Sequence, residues 1–123
     1  MDAFRTRVKV NIEKSFRENN VNALVTIDTR TKNIEISGED MNAWIRLTVI
    51  PTRNSKVKQV DINNIQINPT KQQKRIFTNM MLNLRELKTV DRIIITSVCT
   101  SAMKCWCTKN GCRAINPYDY QYK

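Results

Sequence analysis

Four cysteines, Cys99, Cys105, Cys107 and Cys112, crowd the last quarter of a 123-residue chain that contains no histidine. The missing imidazole removes a His general base, a Ser-His-Asp triad and every His-containing metal site. Four thiolates could hold zinc. Zinc ligands, however, usually pair as C-x2-C or C-x4-C around a turn, and the spacing C-x5-C-x-C-x4-C is irregular. If 102–109 is helical, Cys105 and Cys107 stand about 200° apart and cannot face one metal. An even count also permits disulfides, but Met1-Asp2-Ala3-Phe4-Arg5 opens no apolar leader, so a reducing compartment is the expectation. Free thiols are therefore expected, with no zinc and no structural disulfide.

A second feature is electrostatic. Lys71, Lys74 and Arg75 surround Gln72 and Gln73 where the pattern turns from strand to helix. A helix start carries partial positive charge, so each cation there costs roughly 0.3–1 kcal/mol. An anion held by the first-turn amides, a phosphate above all, would reverse that cost. The competing reading leaves the side chains splayed into solvent. Across the chain, 21 Lys and Arg against 11 Asp and Glu give a net charge of +10. Such an excess suits nucleic acid, an anionic surface or a phosphorylated cofactor, against a plain solubility role. The cations are dispersed, with no block of five, which weakens the case for a dedicated nucleic-acid binder.

These groups need a scaffold. Hydrophobic residues at 41% and charged residues at 26% fit one globular domain, 1–123. No apolar run exceeds three residues, so no membrane span is expected. Phe4, Val8, Ile12 and Phe16 recur every four residues, predicting a helix that ends near Asn19-Asn20; alternation of Val8, Val10 and Ile12 keeps a short strand as a rival. Val25/Ile27 and Ile34/Ile36 flank a polar turn at 28–33 and predict a hairpin. Ile45, Leu47 and Val49 predict a third strand closed by Pro51, and 57–68 a fourth closed by Pro69. Trp44 and Trp106 are expected in the core.

The fourth strand changes phase. Val60 and Ile62 occupy even positions and Ile65 and Ile67 odd ones, so one residue is inserted across Asn63-Asn64. A β-bulge in one long strand fits better than an Asn-Asn hairpin, whose return arm would be about four residues long. From Thr70 the period returns to 3.6, with Ile76, Phe77, Met80, Met81, Leu84 and Leu87 on one helical face. A buried strand follows at 92–98, then a helix at 101–109 with Thr100 or Ser101 as N-cap and Gly111 beyond its end. A short strand at 112–115 comes next, and Tyr118, Tyr120 and Tyr122 alternate as a further candidate. The chain divides into a helix and meander (1–56), a β-α-β-α-β half (57–115) and a tail (116–123).

The stretch from Ile65 to Met81, containing Pro69, Gln72, Arg75 and Phe77, resembles the cofactor motif of the GNAT N-acetyltransferase superfamily. That family runs Gln/Arg-x-x-Gly-x-Gly/Ala from its fourth strand into a helix. A second segment, Thr100 to Cys112, is similar to the family's Asn-x-x-Ala-x-x-Leu-Tyr-x-Lys-x-Gly-Phe helix, with Lys109 and Gly111 matching in identity and spacing. The resemblance covers about 57–115. It implies a mixed α/β GNAT-like sheet, an antiparallel meander followed by β-α-β-α-β with parallel, splayed fourth and fifth strands. It implies acetyl-CoA as cosubstrate, held by Ile65, Ile67, Gln72, Gln73, Lys74, Arg75, Ile76, Phe77, Thr78 and Thr100.

Departures from the motif bear on activity. Arg75 and Phe77 stand where the family has glycines that let backbone approach a pyrophosphate. Arg75 either obstructs that loop or pairs directly with phosphate; Phe77 is free to turn into the core. Cys107 stands at the family's tyrosine acid, with Tyr118 and Tyr120 as substitutes. The required base points to Asp61, the one acid on the fourth strand, opposite the Val60/Ile62 face. The implied activity is direct acetyl transfer to the amine of an unknown acceptor, with bulge amides polarising the thioester. Two other classes compete: a catalytically silent GNAT-fold protein binding a host protein or nucleic acid through its basic surface, and a single-strand binder stacking bases on Trp44, Trp106 and the tail tyrosines. Asn and Ile at 14 each and Lys at 11 suggest an AT-rich, phage or viral origin and a cytoplasmic setting.

Overall fold

The computed structural model describes residues 2–70, 75–98 and 100–122. Lys71–Lys74 and Cys99, and with them the expected cofactor contacts of Gln72, Gln73 and Lys74, lie outside the described residues. Among the described residues, no helix is long and apolar enough to cross a membrane.

Helix α1 (Asp2–Glu18) buries Phe4, Val8, Ile12 and Phe16, one residue per turn. Val10 is half exposed on the other side, so the alternating rival gives way to the helical period. The helix stops where Asn20 takes a left-handed φ of 53° and Val21 N–H donates to the Phe16 carbonyl at 2.9 Å, closing the last turn. Strands β1 (Leu24–Ile27) and β2 (Ile34–Ser37) pair antiparallel. Their turn is nucleated by Asp28, whose Oδ1 accepts the Arg30 and Thr31 N–H groups at 2.7 and 3.2 Å.

Strands β3 (Met41–Pro51) and β4 (Lys56–Ile67) form the longest hairpin. Their register shifts between Asn42 and Trp44: Asn42 faces Gln66 whereas Trp44 faces Asn63. Two residues on β3 thus match three on β4, and Asn64 adopts φ 52°. That is the bulge expected from the phase slip. β4 pairs with β3 on both sides of it, so the hairpin alternative at Asn63-Asn64 falls.

Helix α2 (Ile76–Glu86) buries Ile76, Phe77, Met80, Met81 and Leu84 on one face. Strand β5 (Arg92–Thr96) then pairs parallel to β4. It ends two residues before Val98 because Ser97 turns left-handed at φ 57°. Helix α3 (Ser101–Lys109) is capped by Thr100, whose hydroxyl accepts the Met103 N–H at 3.2 Å. Gly111 follows its end at φ +68°, a conformation that glycine adopts without Cβ strain. Strands β6 (Arg113–Ala114) and β7 (Tyr120–Tyr122) form an antiparallel hairpin. The expected tail is therefore partly sheet, since β7 inserts between β5 and β6 and pairs with β5.

The seven-stranded sheet runs β1-β2-β3-β4-β5-β7-β6, all antiparallel except β4–β5. Inward residues such as Ile34, Ile45, Val60, Ile62, Ile93 and Ile95 join the buried faces of α1 and α2 in one core. Fully burying each such side chain contributes about 1.5–3 kcal/mol. The reverse face carries Glu35, Trp44, Arg46, Asp61 and Arg92. Trp44 is 37% exposed there, a correction to the core role expected for it. The reason is the strand period, which sends Trp44 opposite to Ile45 and Leu47.

Candidate functional site

Pairing between β4 and β5 stops at Asn63 and Thr96, where the Thr96 hydroxyl is hydrogen-bonded to the Asn63 amide oxygen. Past that point the bulge bends β4 away and the strands part. The gap opens into a cleft with two adjoining lobes of about 310 and 240 Å³. Ile65, Gln66, Thr100 and Met103 line both. The smaller lobe lies between the diverging strand ends, against Asn64, Thr96 and Val98. The larger runs between β4 and the two helices that follow it, against Ile67, Arg75, Phe77, Thr78 and Trp106.

Arg75 is the N-cap of α2, with φ 59°, ψ 25° and no side-chain capping bond. It is an exposed cation at the cleft wall. Its backbone is left-handed, a conformation that favours glycine, at one of the two positions where the resemblance places a glycine. A side chain in that conformation costs roughly 1–2 kcal/mol. Phe77 turns into the core, 3% exposed, and its ring meets Trp106 edge-on with centroids 4.7 Å apart. Trp106 donates from Nε1 to the Thr78 hydroxyl at 2.8 Å and also packs against Tyr122 at 5.6 Å. α2, α3 and β7 therefore share one aromatic joint behind the cleft.

The expected cofactor contacts thus split. Ile65, Ile67, Arg75, Phe77, Thr78 and Thr100 converge on the cleft. Ile76 is 3% exposed, packs in the core and is not part of the cleft lining. Ala102, Met103 and Trp106 also line the cleft without having been singled out as ligand contacts. Met103 and Ala102 lie three and four residues before Trp106 along α3, and helical period alone does not tell a cleft wall from a core face.

The expected catalytic residues do not gather. Cys107 is fully buried and absent from the cleft lining, so it does not fit as an acid for a leaving group there. Its thiol is held protonated by a hydrogen bond to Cys112 and by burial. Cys112 sits beside it because its N–H closes the helix end on the Cys107 carbonyl at 3.0 Å. Cys105 is exposed, on the opposite side of α3. Tyr118 is 58% exposed in the β6–β7 turn, where its carbonyl accepts the Val98 N–H at 2.7 Å.

Asp61 lies on the reverse face of the sheet, as its strand phase requires. A separate depression of about 350 Å³ contains it together with Arg46, Arg92, Thr96 and Asp119. Burial raises the Asp61 carboxyl above its ordinary value, against the opposing effects of the Gln59 hydrogen bond and the Arg46 charge. Gln59 donates to Asp61 Oδ1 at 2.7 Å and accepts from Arg92 at 3.2 Å. Thr96 lines both this depression and the smaller lobe of the cleft.

No protein-family model matches the sequence, and no curated protein matches it. Among solved structures, the chain is similar to the AtaT Y144F mutant toxin bound to the C-terminus of the antitoxin AtaR and acetyl-CoA. The TM-score is 0.50 at 5% identity, covering 89% of this chain and 72% of that one. With the parallel β4–β5 pair and the sheet order above, the fold is GNAT-like.

Proposed function

We propose that this chain is an acetyl-CoA-dependent N-acetyltransferase that transfers acetyl to an amine by direct attack. The single observation that carries the reading is the cleft at the β4 bulge, walled by the start of α2, in a GNAT-like fold. Acetyl-CoA supplies the activated thioester. The residues present fit such a ligand: Arg75 offers a guanidinium for its phosphates, Ile65, Phe77 and Met103 an apolar wall for its pantetheine arm, and the edge of β4 at Asn64–Gln66 backbone amides for the carbonyl oxygen.

The acceptor nitrogen forms a bond to the acetyl carbonyl carbon as the carbon–sulfur bond breaks. The nitrogen's proton passes through water to the Asp61 carboxylate, which lies outside the cleft and whose raised pKa suits a general base; the departing thiolate takes a proton from water, and the hydroxide so formed takes the proton back from Asp61. No covalent enzyme intermediate is needed, which agrees with a chain lacking histidine. A second reading, binding without turnover, is favoured by one observation: the residue at the family's tyrosine position, Cys107, is buried away from the cleft. A thiol-release assay with acetyl-CoA and a panel of small amines separates the two. Amine-dependent thiol release supports transfer. Acetyl-CoA binding with no release from any amine supports the silent reading.

A further inference from the structure

Cys107 and Cys112 take no part in the cleft lining, yet the end of α3 holds them as a pair. The helix closes in a Schellman turn. Gly111, at φ +68°, donates its N–H to the Thr108 carbonyl at 3.3 Å, and the Cys112 N–H reaches back to the Cys107 carbonyl at 3.0 Å. A backbone bond of that length keeps the Cys107 and Cys112 Cα atoms within about 7 Å, the outer limit for a disulfide bridge. The same motif frequently brings the side chains at these two positions into contact. Here both join the core: Cys107 is fully buried, and the half-buried Cys112 packs against the same cluster.

The two thiols are free in the structure, and they are not equivalent. Cys107 donates its proton in a hydrogen bond to the Cys112 sulfur, and that bond favours the thiolate at Cys112 against the opposing effect of burial. Cys112 is also the one of the two that solvent reaches. Thiolate character and access decide which cysteine a peroxide oxidises first. Cys105 is exposed, but it stands about 200° from Cys107 around α3 and faces away from the pair.

We infer that Cys107 and Cys112 are a redox site that a hydroperoxide closes into a reversible disulfide, with Cys112 as the sulfur oxidised first and Cys107 as the sulfur that resolves it. The Cys112 thiolate attacks hydrogen peroxide; a sulfur–oxygen bond forms, the oxygen–oxygen bond breaks, and hydroxide leaves. Cys112 is then a sulfenic acid, oxidised by two electrons as the peroxide is reduced. The Cys107 sulfur attacks the Cys112 sulfur, the sulfur–oxygen bond breaks, and the departing hydroxide takes the Cys107 proton as water. A small dithiol reverses the bridge by exchange. The bridge joins residues that the turn already holds together, so α3 does not have to unwind to form it. The inference does not rest on the transferase reading.

The test treats the full chain and Cys105→Ser with hydrogen peroxide, alkylates the remaining thiols and digests with trypsin. Cleavage after Lys104, Lys109 and Arg113 puts Cys107 and Cys112 on separate peptides, 105–109 and 110–113. In both proteins the two peptides are expected as one linked species, lighter by the two thiol hydrogens and absent after dithiothreitol. Cys107→Ser, deprived of the resolving sulfur, is expected to show at least fivefold more dimedone labelling of Cys112 than the wild type. Should that variant not fold, Cys112→Ser serves instead, and Cys107 is expected to stay reduced at tenfold the peroxide that bridges the wild type. No linked peptide in Cys105→Ser, a bridge made instead by Cys99 or between two chains, or dimedone labelling of Cys107 ahead of Cys112 overturns the inference.

Discussion

The indole of Trp106 donates to the Thr78 hydroxyl at 2.8 Å, and this bond ties α3 to α2 along the wall of the cleft. It satisfies an N–H that would otherwise be enclosed beside Phe77 and Tyr122. Thr78→Val keeps the shape and removes the acceptor. Leaving such a donor unpaired costs about 1–3 kcal/mol. The variant is expected to melt several degrees lower in a calorimetric scan, with the Trp106 emission shifted.

Arg75 holds a left-handed backbone at φ 59° with a full side chain. Glycine removes the Cβ strain but adds freedom to the unfolded chain, leaving a net gain of roughly 0.5–1 kcal/mol. Arg75→Gly is therefore expected to be more stable than wild type in chemical denaturation, and Arg75→Ala is not. If the guanidinium contacts phosphate, both variants also bind acetyl-CoA more weakly. Stability and affinity then move in opposite directions for the glycine.

Much of this arrangement was legible in the sequence. The even-to-odd slip between Ile62 and Ile65 located the bulge, because strand side chains alternate strictly and only an inserted residue changes their phase. The same logic read Asp61 onto the reverse face. It failed at Trp44, where an aromatic residue was given to the core although its strand phase is opposite to that of Ile45. Asp119 and Arg46 escaped notice because they are distant in sequence from Asp61, and only strand pairing assembles them. Cys107 was drawn to the site by motif alignment, whereas the helix period turns it inward.

The polar seam between α1 and α2 contains a loose end. Asn11 donates to the Asn83 carbonyl at 3.3 Å and Asn79 to Asn19 at 2.7 Å, yet Ser15 between them is 1% exposed with no partner for its hydroxyl. Ser15→Ala removes an unsatisfied buried group of the kind that costs about 1–3 kcal/mol. Its denaturation midpoint is expected to rise, with the slope unchanged.

Asp61 gives a pH signature. Its folded pKa lies above the unfolded one, so folding disfavours the charged form. The penalty is absent below the unfolded pKa, about 3.9, and complete once pH passes the folded value. Asp61→Asn, which retains an oxygen for Gln59, is therefore expected to be more stable than wild type at pH 7. The two proteins converge near pH 3, as melting temperatures across that range will read. In the transferase reading the same variant loses most amine-dependent thiol release at pH 7 while acetyl-CoA affinity is retained.

The central claim is that the cleft between β4, α2 and α3 takes acetyl-CoA at the cation that caps α2. Calorimetric titration of acetyl-CoA into wild type and Arg75→Glu, each shown folded by its melting transition, tests it most directly. The account predicts saturable one-to-one binding by wild type and at least a tenfold weaker affinity for Arg75→Glu. No heat from wild type, or equal affinity in the two proteins, would contradict it.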